Sequence, residues 1–362
     1  MKKIPFIFFL AFLCVSACFC EPTMAELNPN FEGRIAQALK PNNTSYNYGA
    51  QPKPLSLFFF SDVHSDGLEF ARYVEFYDTY RKYFDDALCA GDLVMDSKTS
   101  DFSYWSKTPG HEKVLIAVGN HDTLRDQGNW GPGTWDNQLT MGETYDYYMK
   151  PFIKNWNVTY EEGKTYYYKD YDAKRIRLIV TDCMLRPAID AAAEEGQLKW
   201  FKERLAEAKE KDLSVLVCTH YPVRNSVGVK CNFHEVGRVG DDIKAPELDR
   251  YQAAVDEFMK DGGKFVCWIG GHCHRDLVIV NPAYPKQLDI IVGATHRRSC
   301  EQYSDVTRIE GTVSQDLADA VIVDTTTETV KLIRVGVNID SHGVPRNGMT
   351  FNYVSGEIIA QY

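Results

Sequence analysis

The sequence has no run of basic residues and carries a formal net charge of −10 at pH 7. An acidic protein repels polyanions at long range, so neither a nucleic-acid polymer nor an anionic membrane surface is an expected partner. The HExxH, GxSxG and Walker A patterns are absent, which argues against zinc proteases, serine α/β-hydrolases and P-loop nucleotide hydrolases. Repeats and low-complexity blocks are also lacking. The remaining composition, with 44% hydrophobic and 25% charged residues, is that of a globular protein.

The amino terminus lacks an apolar run long enough for a comfortable membrane span. Residues 1–17 instead have the pattern of a secretory signal peptide, because Lys2 and Lys3 precede an apolar stretch that ends in small residues. Val15–Cys18 resembles the lipobox of bacterial lipoproteins, and ordinary signal cleavage nearby is the alternative. We therefore predict an exported protein. In a bacterium it would be a periplasmic or cell-surface lipoprotein, attached to the membrane only through lipid on Cys18, and otherwise it would be secreted.

Residues 18–54 are polar and rich in turn-forming residues, and we predict a tether with little structure. Export permits disulfides, but spacing alone gives no pairing among the ten cysteines. Three cysteines lie in apolar, strand-like runs and are predicted core residues: Cys89, Cys218 and Cys267. Three others lie in predicted loops, where a bridge is left open: Cys231, Cys273 and Cys300.

Strand-like and helix-like stretches alternate after residue 54. Apolar runs predict strands at 55–61, 86–90, 114–118, 175–182, 213–219, 264–269 and 287–292. Residues 197–211 and 247–260 place apolar side chains on one helical stripe. Asp66 and Glu69 form a capping-box-like start for another helix, and residues 320–337 predict a hairpin. Such alternation predicts an α/β fold.

Two pairs of polar residues follow predicted strands with the same spacing. Asp62 and His64 come after one apolar run, and His272 and His274 come after another. In an extended chain, residues two apart point to the same side, so each pair is expected to face one small region. Imidazole nitrogens and carboxylates that converge on one point suit a divalent transition metal. A surface or packing pair is the alternative for either pair taken alone.

Further polar side chains follow the other predicted strands. Asp92 follows residues 86–90, the run Gly119–Asp122 follows residues 114–118, and His220 follows residues 213–219. Open α/β sheets build their sites beyond the carboxyl ends of the strands, so these side chains are candidates for one shared site.

The five motifs, in this order, resemble those of the calcineurin-like metallophosphoesterase family, and the resemblance covers roughly residues 55–300. It implies a four-layer αββα sandwich of two mixed β-sheets flanked by helices. We accordingly predict a metallophosphoesterase domain at residues 55–340 with a substrate-loop insert at about 123–168. Residues 341–362 are then predicted to be a C-terminal extension.

The resemblance also implies two divalent metal ions, with Mn, Fe or Zn expected. The implied ligands are Asp62, His64 and His274 for one ion, Asn120, His220 and His272 for the other, and Asp92 as a bridge. A hydroxide between ions about 3.5–4 Å apart would attack the phosphorus. His121 would stabilise the transferring phosphoryl group or protonate the leaving oxygen, and Asp122 would orient it. A supporting histidine behind the ligands is the alternative for His121.

The implied function is an exported phosphoesterase that hydrolyses a small phosphomonoester or a nucleotide. An alternative is a phosphodiesterase acting on cyclic nucleotides, nucleotide sugars or phospholipid head groups. An alternative of another class is a non-catalytic binding module on the same fold. Residues 123–168 are rich in aromatic side chains, including Trp130 and Trp135, which would either stack on substrate or form a small core under a long loop. The oligomeric state and the disulfide pattern stay open.

Overall fold

The computed structural model of the chain describes residues 21–40, 52–64, 68–95, 107, 109–123, 138–182, 187–221, 246–280, 284–295, 307–339 and 346–361. Several positions singled out in the sequence lie outside these ranges, namely residues 1–17, Asp66, Trp130, Trp135, Cys231 and Cys300.

The strands of the described residues are numbered in chain order. They are β1 (Leu55–Phe60), β2 (Asp86–Cys89), β3 (Val114–Ile116), β4 (Thr159–Tyr160), β5 (Tyr167–Tyr171), β6 (Ile176–Val180), β7 (Ser214–Cys218), β8 (Lys264–Gly270), β9 (Leu277–Val280), β10 (Leu288–Ile291), β11 (Leu317–Asp324), β12 (Thr329–Gly336), β13 (Gly348–Asn352) and β14 (Glu357–Gln361). Every strand predicted from the sequence is present, with ends that differ by no more than two residues. The predicted hairpin is the antiparallel pair of β11 and β12.

Two seven-stranded sheets result, in the spatial orders β14-β13-β12-β11-β1-β2-β3 and β4-β5-β6-β7-β8-β10-β9. In the first sheet β1, β2 and β3 are parallel, while β11 joins β1 antiparallel. In the second sheet β6, β7, β8 and β10 are parallel, and β5 and β9 are antiparallel to their neighbours. Both sheets are therefore mixed.

The helices are α1 (Met24–Leu27), α2 (Phe31–Ala38), α3 (Leu68–Thr79), α4 (Met141–Tyr148), α5 (Pro187–Glu210) and α6 (Pro246–Lys260). Among the described residues, none of these helices combines the length and the apolar composition that crossing a membrane requires.

Side-chain alternation along the strands produces the layers. On β7, Leu216 joins a core shared by both sheets, whereas Val215 and Val217 pack in a second core with side chains of α5 and α6. On β1, Phe58 and Phe60 face α3, with the Phe58 and Phe76 ring centroids 5.2 Å apart. Because successive strand residues point to opposite faces, each sheet buries both of its faces. The predicted αββα sandwich is confirmed.

The predicted tether at residues 18–54 is wrong for the helical part, residues 24–38. Helix α1 begins with a capping box between Thr23 and Glu26. Met24, Phe31 and Ile35 are buried in the core shared by the sheets. Apolar residues four apart put one stripe of α2 against the domain, which stabilises a helix that is too short to be stable alone.

The predicted C-terminal extension is also corrected. Residues 348–352 and 357–361 are β13 and β14, and they widen the first sheet. Phe351 is fully buried in the core between the sheets. The domain therefore continues to residue 361, beyond the predicted boundary at 340.

The described part of the predicted substrate insert, residues 138–168, is largely structural. Tyr145, Tyr148 and Trp156 are buried in the main core, and the Trp156 indole N–H donates to the Glu112 carbonyl. These three rings pack inside the protein, so they are not available to a substrate.

The cysteines of the described residues are of two kinds, free and disulfide-bonded. Cys89, Cys218 and Cys267 are free and buried in strands, as predicted. Cys273 is disulfide-bonded and packs with Leu277 and Ile291. Its partner is not one of the three free cysteines, so it lies outside the described residues.

Candidate metal centre

The carboxyl ends of five parallel strands meet at one edge of the two sheets. The first sheet supplies Asp62, His64, Asp92 and Asn120 from the segments after β1, β2 and β3. The second sheet supplies His220, His272 and His274 from the segments after β7 and β8. All seven side chains are buried. Two packed sheets thus bring together residues that lie far apart in the sequence.

Four of these residues form one group, with ligand atoms within 4.8 Å of one another: Asp62, His64, Asp92 and His274. The Nε2 atoms of His64 and His274 are 2.9 Å apart. The Nε2 of His274 lies 3.4 Å from Oδ1 of Asp62, and the Nε2 of His64 lies 3.6 Å from Oδ2 of Asp92. Imidazole nitrogens and carboxylate oxygens thus point at one small volume.

A second group joins Asp92 to His220 and His272. The amide oxygen of Asn120 belongs to it, since Oδ1 lies 3.1 Å from Nε2 of His220 and 3.0 Å from Nδ1 of His272. The other ring nitrogen of His220 donates to the Ala90 carbonyl at 2.7 Å. That bond fixes the tautomer and turns Nε2 toward the cluster.

Asp92 is common to both groups. Its Oδ2 lies 3.3 Å from Nε2 of His220 and 3.6 Å from Nε2 of His64, while its Oδ1 accepts the backbone N–H of His121 at 2.9 Å. Burial acts to raise the pKa of the Asp92 carboxyl, but the neighbouring imidazoles, first His220 and then His121, hold that pKa well below its usual range.

The pKa of His220 is shifted by the same cluster of charges. Burial acts to lower its pKa, but the charge and hydrogen bond of the Asp92 carboxylate, with the charge of Asp62 and the Ala90 carbonyl, together raise the pKa of His220 to about 9. The interior beside Asp92 therefore favours positive charge. Protons supply that charge when no metal is present, and divalent cations would compete for the same atoms.

The backbone at the ligands differs from the sequence prediction. Nine non-glycine residues of the described chain have a positive φ, and five are candidate ligands: Asp62 (53°), His64 (45°), Asp92 (52°), His272 (67°) and His274 (51°). The argument from an extended chain is therefore wrong, although both pairs do converge. Tight left-handed turns, which are unfavourable for residues with a Cβ, aim these side chains inward.

Two glycines make the close approach feasible. A Cβ on Gly119 would lie 2.1 Å from Oδ1 of Asp92, and a Cβ on Gly271 would lie 2.3 Å from Oδ2 of Asp62. The backbone N–H of His272, next to Gly271, donates to both Asp62 oxygens at 3.0 and 2.9 Å. Any larger residue at these positions would push the ligand segments apart.

His121 lies at the outer side of the cluster. Its ring is half-buried, and its centroid is 4.6 Å from that of His64. Its Nδ1 is 2.6 Å from the Met95 carbonyl oxygen. A carbonyl only accepts, so Nδ1 donates this hydrogen bond. No pattern in the sequence predicts this contact between a side chain and a distant main-chain carbonyl.

The hydrogen bonds described for Asp122 are accepted from the backbone of two neighbouring segments, and its role in orienting His121 stays a prediction. Its Oδ1 accepts the N–H groups of Leu93 and Val94, and its Oδ2 accepts that of Gly119 at 2.8 Å. Burial, reinforced by the charge of Asp92, raises the pKa of Asp122 to about 8, against the effect of these hydrogen bonds. Asp122 thus ties together the segments that carry Asp92 and Asn120.

Tyr221 is a site neighbour that the sequence analysis missed. Its ring centroid is 4.0 Å from that of His272 and 5.4 Å from that of His220, and its side chain is buried. It therefore packs on one ligand ring of the second group and limits its rotation. The only sequence signal is an aromatic residue directly after His220.

The donor set fits a pair of divalent transition metals. It offers imidazole nitrogens, two carboxylates and one amide oxygen, a mixture that suits Zn, Mn and Fe. The two groups share one carboxylate, as a bridged pair of ions requires. An αββα sandwich with such a cluster at its strand ends is the arrangement of a metal-dependent phosphoester hydrolase.

The sequence matches the family model described as calcineurin-like phosphoesterase over residues 55–276. That span is more than half of the chain, so the protein belongs to the calcineurin-like phosphoesterase family. A search of curated protein sequences finds no significant match.

Two solved structures are similar to this chain at low sequence identity. A dimetal phosphatase from Danio rerio is 11% identical, with a TM-score of 0.51, and the alignment covers 83% of this chain and 99% of that chain. An archaeal phosphodiesterase is 11% identical, with a TM-score of 0.33 and coverage of 77% and 99%. Identities this low carry no information on substrate, and the second score is too low to support an argument.

Proposed function

We propose that the chain binds two divalent ions and hydrolyses a small phosphoester. The proposed ligands are Asp62, His64 and His274 for one ion, Asn120, His220 and His272 for the other, and Asp92 between them. The observation that carries the proposal is the position of the Asp92 carboxylate, which is a member of both buried groups. Its Oδ2 faces a histidine of each group, so this carboxylate could contact both cations.

Charge supports a phosphoester as the substrate. Two divalent cations would outweigh the two carboxylates of the cluster, so the loaded centre is positive within a protein of net charge −10. A dianionic phosphate would be drawn to this one spot. The neutral amide of Asn120 contributes to the effect, because a carboxylate at that position would reduce the positive charge.

The residues around the ions have separate tasks. When bound, the ions supply Lewis acidity and an activated water molecule. His121 is half-buried beside the cluster, and its imidazole would hold or donate the proton that the leaving oxygen needs. The Met95 carbonyl keeps the ring turned for this step. Asp122 keeps the two ligand segments in register.

The substrate is proposed to be a phosphomonoester or a nucleotide. The purified protein, loaded with Mn²⁺, Fe²⁺ or Zn²⁺, is tested on 4-nitrophenyl phosphate, bis(4-nitrophenyl) phosphate and nucleoside monophosphates. A higher kcat/KM for the monoesters supports the proposal, and a preference for the diester replaces it with a phosphodiesterase. Two bound ions without turnover on any phosphoester would contradict both readings.

We also propose export. The supporting observation is the disulfide at Cys273, because disulfides persist mainly in oxidising compartments. Expression of the whole chain in a bacterium, with labelled palmitate, tests the lipid anchor. Label in the membrane fraction that is lost in Cys18→Ala supports a lipoprotein. Secreted, unlabelled protein supports ordinary cleavage, and protein retained in the cytosol with its first residue intact contradicts export.

A further inference from the structure

Four charged side chains are buried together beside the metal-ligand loop. They are Asp276 after β8, Asp319 on β11, Arg334 on β12 and Arg346 just before β13. Each is no more than 4% exposed. Two acids and two guanidinium groups balance in formal charge. We call it the arginine–aspartate quartet.

The quartet alternates acid and base. The Nη2 of Arg334 lies 2.8 Å from both carboxylate oxygens of Asp276 and 3.3 Å from Oδ2 of Asp319. Arg346 places Nη1 at 3.1 Å from Oδ1 of Asp276 and donates from Nη2 to Oδ2 of Asp319 at 3.0 Å. Each acid therefore contacts both arginines, and Asp276 receives the shortest contacts.

Stability alone is a weak reason for such a network. Desolvating four charges is costly, and well-packed apolar side chains of similar volume often stabilise a protein equally well. Burial raises the pKa of Asp319 despite the nearby arginines, which is a sign of that cost. A buried ionic network does, however, fix the relative position of the segments that carry it, because its geometry is directional.

The segment that needs fixing is the turn between β8 and β9. It carries His272 and His274, both with left-handed backbone, and Asp276 follows His274 by two residues. The two histidines belong to different groups of the metal centre. A shift of this turn would therefore displace one proposed ligand from each ion, and left-handed backbone is unfavourable for a residue with a Cβ.

We propose that Asp276 is a positioning residue, and that Arg334 and Arg346 hold it so that the turn at residues 271–275 presents its two histidines to the ions. This inference rests on the metal site proposed above. Both arginines and Asp319 lie outside residues 55–276, the part that matches the family model. The C-terminal strands thus act on the metal centre without contributing a ligand to it.

The test compares Arg334→Met with Arg177→Met by Mn²⁺ titration calorimetry on the metal-free, folded protein. Arg177 is a matched control, because it is also a fully buried arginine that binds two acids, Asp170 and Glu207. It lies near the amino end of β6 in the second sheet, away from the metal-ligand turns. Both variants should melt at a lower temperature than wild type. Arg334→Met should bind Mn²⁺ about 10–100-fold more weakly, whereas Arg177→Met should keep the wild-type Kd.

Two further variants make the result decisive. Arg346→Met removes another contact to Asp276 and should also weaken Mn²⁺ binding, which covers the case that Arg334→Met does not fold. Arg334→Lys keeps a charge that can bridge the Asp276 oxygens and should restore most of the affinity. The inference is overturned if Arg334→Met and Arg346→Met bind Mn²⁺ as wild type does, or if Arg177→Met is weakened equally. Failure of wild type itself to bind Mn²⁺ would instead remove the proposed metal site.

Discussion

The metal centre, at the carboxyl ends of the parallel strands, and the amino ends of the same sheets arrange their charged side chains in opposite ways. At the amino ends, acids meet bases: Asp86 accepts from Lys169 at 2.8 Å, and Arg177 binds Asp170 through two nitrogens at 2.6 and 2.7 Å. In the metal centre at the carboxyl ends, by contrast, two imidazole nitrogens face each other, since the Nε2 atoms of His64 and His274 are 2.9 Å apart.

The difference indicates which end is functional. A complementary pair is satisfied by its own contacts, so these pairs have a structural role: Asp86 and Lys169 link the two sheets, and Arg177 and Asp170 link β6 to β5. A cluster of converging nitrogen and oxygen ligand atoms is stabilised when a cation binds between them. The left-handed backbone that carries these ligands is strained, so the surrounding fold has to hold it in place.

The largest expected effect comes from the shared carboxylate. Asp92→Asn should lower kcat/KM by about a thousandfold or more, because the ions supply several kcal/mol of transition-state stabilisation. Mn²⁺ titration should show the loss of at least one site. The matched control at the amino end is Asp86→Asn, which should lose about 1–3 kcal/mol of unfolding free energy and retain both ions. Equal Mn²⁺ binding by both variants would remove the contrast between the two ends.

The next largest effect separates the ligands from the proposed acid. His121→Ala should lower kcat by about 10²–10⁴-fold while Mn²⁺ affinity stays near wild type. The bond to Asp92 survives this change, because it is donated by the backbone N–H of residue 121. Loss of an ion in this variant would make His121 a ligand and contradict the role proposed for it.

A smaller effect tests the hydrogen bonds that support the site. Asp122→Ala leaves three buried N–H groups without their acceptor, so the unfolding free energy should fall by about 3 kcal/mol. Urea denaturation of the metal-free protein measures the loss. Thr79→Ala, which removes an exposed hydroxyl on α3, should change stability by less than about 0.5 kcal/mol. A comparable loss of stability in the two variants would contradict the claim that the Asp122 hydrogen bonds stabilise the ligand segments.

The smallest effect concerns pH at the amino end. Burial acts to raise the pKa of Glu207, but hydrogen bonds from Lys211 and Arg177 lower it to about 2 from an unfolded value of 4.5. The stabilisation is therefore present above pH 4.5 and is lost as pH falls toward 2. It should stay below about 2 kcal/mol, because the side chain is 28% exposed. Glu207→Gln should make the melting temperature depend less on pH between 4.5 and 2. An unchanged pH dependence in this variant would contradict the pairing of Glu207 with Lys211 and Arg177.

The sequence predicted the sheets well because buried strands leave a strong signal. Continuous apolar runs such as residues 55–60 and 264–269 read as strands whether or not the topology is known. The ligands were found for a related reason, since each polar motif directly follows such a run. The pairing of the strands into two sheets came from the family resemblance and not from the runs themselves.

Other features depend on tertiary contacts that no local pattern carries. The segment around Phe31 looks like a polar tether in the sequence, because its packing against Phe76 and Tyr80 is visible only in the fold. Strands β13 and β14 are likewise recognisable only beside β12. Left-handed backbone at His64 or His272 is a consequence of packing and not of residue preference. Arg334 and Asp276 are 58 residues apart, so their pairing could not be read from the chain.

Anomalous diffraction from a crystal soaked in MnCl₂ tests the central claim most directly. The account predicts two peaks about 3.5–4 Å apart, on either side of the Asp92 carboxylate, one beside His64 and His274 and the other beside His220 and His272. A single peak, or two peaks that do not share Asp92, would contradict it.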